Sequence, residues 1–256
     1  MTRGATGPVT LPAHAKLTVS LHVTGVRADG YHLLDAEMVT LDLADVVTIT
    51  PDRDGITVTG PYAVGVPTGA DNLVARALDV AGRRAHVAID KRIPHGGGLG
   101  GGSTDAAAVL RWADVRDPAL AVRVGADVPF CVLGGRARVT GIGEVLEPLP
   151  HLDRTFTLVI PPLRVSTPAA YRAWDDLGGP TASGPNDLEP AALHVEPRLA
   201  AWRDRIGELA GVTPVLAGSG ATWFVEGPRD DALADLVGEG AAVVTTRTVP
   251  AGASDV

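Results

Sequence analysis

Apolar and polar residues alternate along residues 16–24, the period of a strand with one buried face. The same period over 37–43 and 46–50 predicts two further strands, and 56–59 a fourth, with Ala28-Asp29-Gly30 as a turn after the first. At 72–81 the spacing becomes helical, with Asp71 as the expected cap. A strand follows at 85–89, a helix at 104–113 and a short helix at 118–124 closed by Gly125. Two strands then run to about residue 149, where Pro148 and Pro150 suggest a boundary. The second half reads as a strand at 156–160, a helix opened by Ser166-Thr167-Pro168 and running through Trp174, and a loop over 178–186. Helices are expected at 188–193 and 198–210, and a strand, turn and strand over 215–226 with Gly218-Ser219-Gly220 at the bend. A helix at 230–236 and a strand at 242–246 complete a pattern of the α+β class, divided into units 1–152 and 153–256.

One segment fits no element: Pro94-His95-Gly96-Gly97-Gly98-Leu99-Gly100-Gly101-Gly102-Ser103-Thr104. Glycines lack Cβ and let backbone approach a ligand closely. The alanine-rich stretch after them favours a helix, which Ser103, Thr104 or Asp105 can cap. A glycine bend feeding a helix N-terminus presents free N–H groups and a positive dipole end, an arrangement suited to phosphate. Gly97 and Gly102 have Walker A spacing, but Ser103 stands where that loop needs lysine. Gly96, Gly98 and Gly101 match the dinucleotide fingerprint, yet the polar stretch 90–94 separates them from the preceding strand. Neither familiar phosphate loop is present.

Composition narrows the partners. The 256 residues carry 22 Lys+Arg against 30 Asp+Glu, a net charge of −8, which argues against a nucleic-acid ligand. Cys131 is the single cysteine and excludes an internal disulfide framework. No apolar run follows Arg3 and no stretch is apolar enough to span a bilayer, so a cytoplasmic protein without membrane contact is expected. Basic residues are nearly all arginine; the only lysines are Lys16 and Lys91. A lysine kept in such a chain suggests a place where a compact ammonium is required.

The run from Pro94 to Ala107 resembles the second motif of the GHMP kinases, the galactose, homoserine, mevalonate and phosphomevalonate kinases. Four further segments are similar to the family in its own order: Ala15-Lys16-Leu17, Arg27-Ala28-Asp29-Gly30-Tyr31-His32, Gly125-Ala126-Asp127-Val128-Pro129-Phe130 and Gly141-Ile142-Gly143-Glu144. Ala217-Gly218-Ser219-Gly220-Ala221-Thr222 resembles its third glycine loop. The matches span most of the chain. They are closest to the branch that phosphorylates a cytidine-diphosphate-linked methylerythritol in the non-mevalonate route to isoprenoids.

The resemblance implies a ribosomal-S5-domain-2-like N-terminal domain, a ferredoxin-like C-terminal domain and an active site between them. It implies ATP and Mg2+, with Pro94, His95, Gly96–Gly102, Ser103, Thr104 and Asn72 around the nucleotide and no dedicated protein metal site. It makes Asp127 the general base and Lys16 its partner, with Tyr31, His32, Tyr171, Thr18 and Ser219 at the small-molecule substrate. The two tyrosine rings are expected to sandwich the cytosine. Thr18 stands where the family usually has asparagine, and His95 where it has an apolar residue. The interval from Leu110 to Gly125 is short by the family's standard, which implies a truncated or missing helix just before Asp127. Two alternatives remain: another GHMP kinase, of homoserine or mevalonate type, and a catalytically degenerate nucleotide-binding homologue.

Overall fold

A computed structural model describes residues 7–94, 96–182 and 184–254. Two long strands, β1 (Val9–Val26) and β2 (His32–Pro51), form an antiparallel ribbon from Val26 opposite His32 to Val9 opposite Ile49. The connecting turn is closed by the Arg27 N–H donating to the Tyr31 carbonyl and the Gly30 N–H to the Arg27 carbonyl, at 2.8 and 2.9 Å. On its other edge β2 serves two partners in tandem: Leu34–Val39 pair with β5 (Arg136–Gly141), and Val46–Pro51 pair with β4 (Ala85–Asp90). β3 (Ile56–Thr59) extends the sheet parallel to β4, and β6 (Val145–Leu149) extends it antiparallel to β5.

The two strands expected at 37–43 and 46–50 are therefore one. Asp45, which interrupts the apolar pattern, is fully buried, and its carboxylate is satisfied by Lys91 and by the amides of Arg92 and Ile93. A charge that reads as a turn signal here faces inward from an unbroken strand.

Helices α1 (Leu73–Ala81), α2 (Gly101–Trp112), α3 (Pro118–Ala121) and α4 (Val128–Leu133) follow, and α2 is buried from Thr104 to Arg111. Its alanines pack with Val47, Ile49, Val87 and Ile89 of the sheet and Val74 of α1. Small side chains let this helix lie close to the strands on one side and to α1 and α4 on the others.

Two caps differ from expectation. Asn72, not the exposed Asp71, caps α1: its Oδ1 accepts from the Val74 N–H at 2.8 Å. The α2 helix begins at Gly101 after a left-handed Gly100, so Ser103, Thr104 and Asp105 lie inside it rather than capping it. Two of them have partners elsewhere: Thr104 Oγ1 donates to the His14 carbonyl at 2.6 Å, and Asp105 accepts from Lys91 at 2.8 Å.

The second sheet contains β7 (Thr155–Ile160), β8 (Val215–Leu216), β9 (Trp223–Glu226) and β10 (Ala242–Arg247), ordered β10-β7-β9-β8 and antiparallel throughout. Between β7 and β8 come α5 (Thr167–Asp176), α6 (Glu189–Val195) and α7 (Arg198–Ala210). Between β9 and β10 the expected single helix is two short ones, α8 (Asp230–Leu233) and α9 (Asp235–Gly238). This β-α-β-β-α-β order is the ferredoxin-like topology.

The sheets meet along an apolar seam. Ala15, Leu17, Val39, Leu41, Ile93 and Leu99 from the first half pack on Phe156, Leu158, Ile160 and Phe224 from the second. Asp42 accepts from Thr246 Oγ1 at 2.5 Å and from the Arg247 N–H at 3.0 Å beside it. Among the described residues no helix is long and apolar enough to cross a membrane. Leu17 is fully buried in this seam. Truncation of such a side chain forfeits its burial and leaves a cavity, so Leu17→Ala is expected to cost about 3 kcal/mol. Chemical denaturation followed by tryptophan fluorescence and by circular dichroism measures it; a loss below about 1 kcal/mol would show that the seam does not bind the halves.

Candidate active site

The glycine run turns sharply because Gly96, Gly98 and Gly100 all have φ between 70° and 80°. At two of these positions there is also no room for a side chain. A methyl on Gly98 would lie 2.7 Å from the Ala217 carbonyl oxygen, and one on Gly100 would lie 2.7 Å from Cγ of Lys16. The run is thus pressed against the third glycine loop on one side and β1 on the other. Leu99 is its anchor, buried in the seam between the sheets. The Leu99 carbonyl accepts from the Lys16 N–H at 3.0 Å, and the Gly97 carbonyl from the Thr222 N–H at 3.3 Å.

The first helical bond of α2 runs from the Thr104 N–H to the Gly100 carbonyl at 2.9 Å. The amides of Gly101, Gly102 and Ser103 stay outside that ladder, at the positive end of a helix of 12 residues. Pro94 is buried at the entrance; His95 lies outside the described residues. The Thr104 hydroxyl, expected beside phosphate, is spent on His14, which leaves Ser103 as the hydroxyl at this helix end. The Asn72 amide is likewise spent, on Val74 and on the Pro67 carbonyl, and holds the start of α1.

Lys16 emerges from β1 under this bend. Its buried ammonium lies 3.2 Å from Asp127 Oδ2 and donates to Thr18 Oγ1 at 3.1 Å. Lysine and threonine two apart on a strand share a face, so β1 delivers both to one spot. Asp127 stands at the N-terminus of α4 but makes no capping bond, and its carboxylate is turned to Lys16 with about a third of its surface exposed. The shortened interval before it does not displace it. A one-turn helix, α3, capped by Asp117 accepting from the Ala119 N–H at 2.8 Å, spans the gap. Gly218 of the third loop completes the ring, so close that a methyl on it would lie 3.9 Å from Lys16 Nζ. Cys131 sits behind, its thiol pushed up to about 12 by burial first and by the Asp127 charge second, as befits a core thiol.

Beneath the loop lies a charged cluster. Lys91 is almost wholly buried and bonds both Asp45 and Asp105, the latter at 2.8 Å. Asp45 Oδ1 also accepts from the Arg92 and Ile93 amides, at 2.5 and 2.8 Å, which fixes the entrance of the glycine run. Lys91 reaches from that entrance to Asp105 in the first turns of α2, and so clasps both ends. Burial opposes the charge on Lys91, but Asp105 and Asp45 outweigh it and hold its pKa above the usual lysine value. Burial pushes the Asp105 carboxyl up to about 7 against the pull of Lys91, and its Oδ1 has no hydrogen-bond partner.

At the far end, His32 opens β2 and stacks on Tyr171 of α5, ring centroids 4.7 Å apart and planes 31° apart. Tyr31 instead projects outward, 59% exposed, with the Arg27 guanidinium 5.9 Å over its ring. The ring packed against Tyr171 is therefore histidine, and Tyr31 stands outside that contact. Burial first, and the Asp127 charge second, hold the Tyr171 phenol above the usual range. Ser219 shares a hydrogen bond with Thr167 Oγ1 at 2.8 Å and so ties the third loop to the start of α5.

Several supporting residues escape a reading of the sequence. Asn186 donates to the Leu216 and Gly218 carbonyls at 2.8 and 2.7 Å and pins the third loop. Asp187 accepts from the Val23 N–H at 3.0 Å and docks the same segment on β1. Both lie at the end of a stretch that reads as loop, where polar residues attract no notice; only their burial marks them.

The GHMP kinases N terminal domain matches residues 70–135, a span that contains the glycine run, α2 and Asp127. The chain is 41% identical over 231 residues to a 4-diphosphocytidyl-2-C-methyl-D-erythritol kinase of Paracoccus denitrificans, covering 83% of this chain and 84% of that protein. With its counterpart from Dinoroseobacter shibae it shares 41% over 248 residues, 85% of each chain. The chain belongs to the 4-diphosphocytidyl-2-C-methyl-D-erythritol kinase family. A crystal structure of 4-(cytidine 5'-diphospho)-2C-methyl-D-erythritol kinase superposes with a TM-score of 0.76 at 33% identity, covering 94% of this chain and 100% of that one. A homoserine kinase from Cytophaga hutchinsonii shares the fold at 16% identity and a TM-score of 0.59, over 98% and 97% of the chains.

The buried clasp carries a pH signature. A carboxyl raised on folding binds a proton more tightly in the folded state than in the unfolded one, so it costs stability as pH rises from the ordinary carboxylate range to about 7. Asn at position 105 does not titrate. The stability of the wild type relative to Asp105→Asn should therefore decline between pH 5 and pH 8, as measured by urea denaturation at each pH. A difference that stays constant across this range would contradict the shifted carboxyl.

Proposed function

We propose that the chain transfers the γ-phosphoryl group of ATP to a hydroxyl of 4-diphosphocytidyl-2-C-methyl-D-erythritol, a step of the non-mevalonate route to isoprenoids in the cytoplasm. Family membership supports the reaction; the observation that carries the residue roles is the Lys16–Asp127 pair, 3.2 Å apart beside Gly100. Phosphoryl transfer asks little covalent chemistry of a protein and much positioning and charge stabilisation. The amides of Gly101, Gly102 and Ser103 hold the triphosphate at the helix end. Asp127 accepts the proton of the substrate hydroxyl as its oxygen bonds to the γ-phosphorus. The bond from that phosphorus to the bridging oxygen breaks, and ADP leaves. The Lys16 ammonium, held by Thr18, stabilises the charge spread over the transferred group.

Magnesium fits the site as a companion of the nucleotide. Among the described residues no group of three or more His, Cys, Asp or Glu side chains is placed to hold a metal. The ion would be held chiefly by phosphate, with the Ser103 hydroxyl in the first turn of α2 available to it, and would neutralise triphosphate charge. The base end consists of His32 and Tyr171. That ring pair favours a nucleotide-bearing alcohol over homoserine or mevalonate, and the intact Lys16–Asp127 pair favours an active enzyme over a degenerate homologue.

Coupled ADP release tests the reading. The cytidyl alcohol should drive ADP formation, and homoserine and mevalonate should not; the reverse would transfer the chain to another GHMP activity. In Asp127→Asn turnover should fall by about a thousandfold, the scale of a lost general base, with the KM for ATP unchanged. Near-normal turnover would remove Asp127 as the base. Tyr171→Ala should raise the KM for the cytidyl substrate about tenfold, as expected for a lost stacking face, and leave ATP unaffected. An equal effect on both ligands would place the base elsewhere.

A further inference from the structure

Helix α5 presents three side chains to one residue of β2. Tyr171, Trp174 and Asp175 stand at i, i+3 and i+4, so they line one helical face. All three touch His32. Tyr171 stacks on its ring, Trp174 meets it edge-on at 5.5 Å and 85°, and Asp175 Oδ1 lies 2.8 Å from His32 Nε2. Trp174 is itself fixed, donating its indole N–H to the Pro180 carbonyl at 3.0 Å. The imidazole is only about a tenth exposed, whereas Asp175 is nearly half exposed. A histidine boxed this closely has one orientation.

A carboxylate can only accept, so in the imidazole form with a single N–H that hydrogen lies on Nε2, toward Asp175. Nδ1 then carries a lone pair. No described residue bonds to Nδ1. The open edge of His32 is an acceptor, and the ring cannot exchange its two nitrogens without losing Asp175 and the fit between Tyr171 and Trp174.

We propose that Asp175 is a positioning residue that makes this kinase select a 4-aminopyrimidine over a 4-oxopyrimidine, by holding His32 in the tautomer whose Nδ1 accepts. This rests on the reading of His32 and Tyr171 as the base end of the site. A 4-amino group donates to such a lone pair. A 4-carbonyl turns its own lone pair toward it and leaves both unpaired, and a buried polar group without a partner is what makes a binding site discriminate strongly. Without the carboxylate, the imidazole is free to move its hydrogen to Nδ1 and to accept the carbonyl compound as well. The discrimination therefore resides in α5, one residue removed from any contact with the base.

The test compares the cytidyl substrate with its deaminated uridyl counterpart by ADP release, in the wild type, Asp175→Asn, Asp175→Ala and His32→Ala. The ratio of the two kcat/KM values cancels the concentration of active enzyme, so partial misfolding does not affect it. The wild type should prefer the amino compound by about a hundredfold or more, and both Asp175 variants should narrow that preference by at least about tenfold. The change should lie in the KM for the pyrimidine substrate and leave the KM for ATP unchanged. A preference preserved in both Asp175 variants, while His32→Ala raises the KM for the cytidyl substrate, would overturn the role of Asp175 alone. An unchanged KM in His32→Ala would overturn the base end itself.

Discussion

The structure depends on a buried ammonium. Lys16 is held by Thr18 and Asp127, and its methylene stem lies where a side chain on Gly100 would have to be. The same residue's backbone amide bonds the Leu99 carbonyl, so one position of β1 fixes both the height of the glycine bend and the place of the carboxylate. A charge removed from water needs such partners, and the partners are thereby brought together. Asp127 need not be delivered by a long helix. Once α3 and α4 bridge from α2, the ion pair aligns it.

The other lysine does related work from below. Lys91 joins the strand that enters the glycine run to the helix that leaves it, through Asp45 and Asp105. Both lysines of an otherwise arginine-based chain are buried in ion pairs at this one loop. A compact ammonium fits between two carboxylates under a glycine; a planar guanidinium, larger and with five donors to satisfy, does not. Asn186 and Ser219 hold the third loop against its surroundings in the same manner, by hydrogen bonds to backbone and to α5.

Much of this is legible in the residues, and the misreadings have a common cause. The glycine run is visible because glycines without a core role point to chemistry, whereas Lys16 and Asp127 stand out through the resemblance of their segments to the GHMP kinases. The strands and most helices follow from period alone. Failures come wherever a polar side chain faces inward. The strand is read as broken at Asp45, and Asp71 as a cap in place of Asn72, because sequence does not tell which way a polar group points. His32 and Tyr171 both stand out in the sequence, but their stacking depends on α5 lying against the start of β2, a long-range contact with no local signal. The same blindness hides Trp174 and Asp175, which follow Tyr171 at helical spacing yet look like ordinary surface residues.

The central claim is geometric: the bare amides at the start of α2 and the Lys16–Asp127 pair form one site around one phosphoryl group. A crystal structure with a non-hydrolysable ATP analogue and the cytidyl alcohol tests it most directly. The account predicts the triphosphate against the amides of Gly101, Gly102 and Ser103, its terminal phosphorus beside the Lys16 ammonium, and the alcohol oxygen in hydrogen-bond contact with Asp127. A triphosphate bound elsewhere, or an alcohol facing away from Asp127, would contradict it.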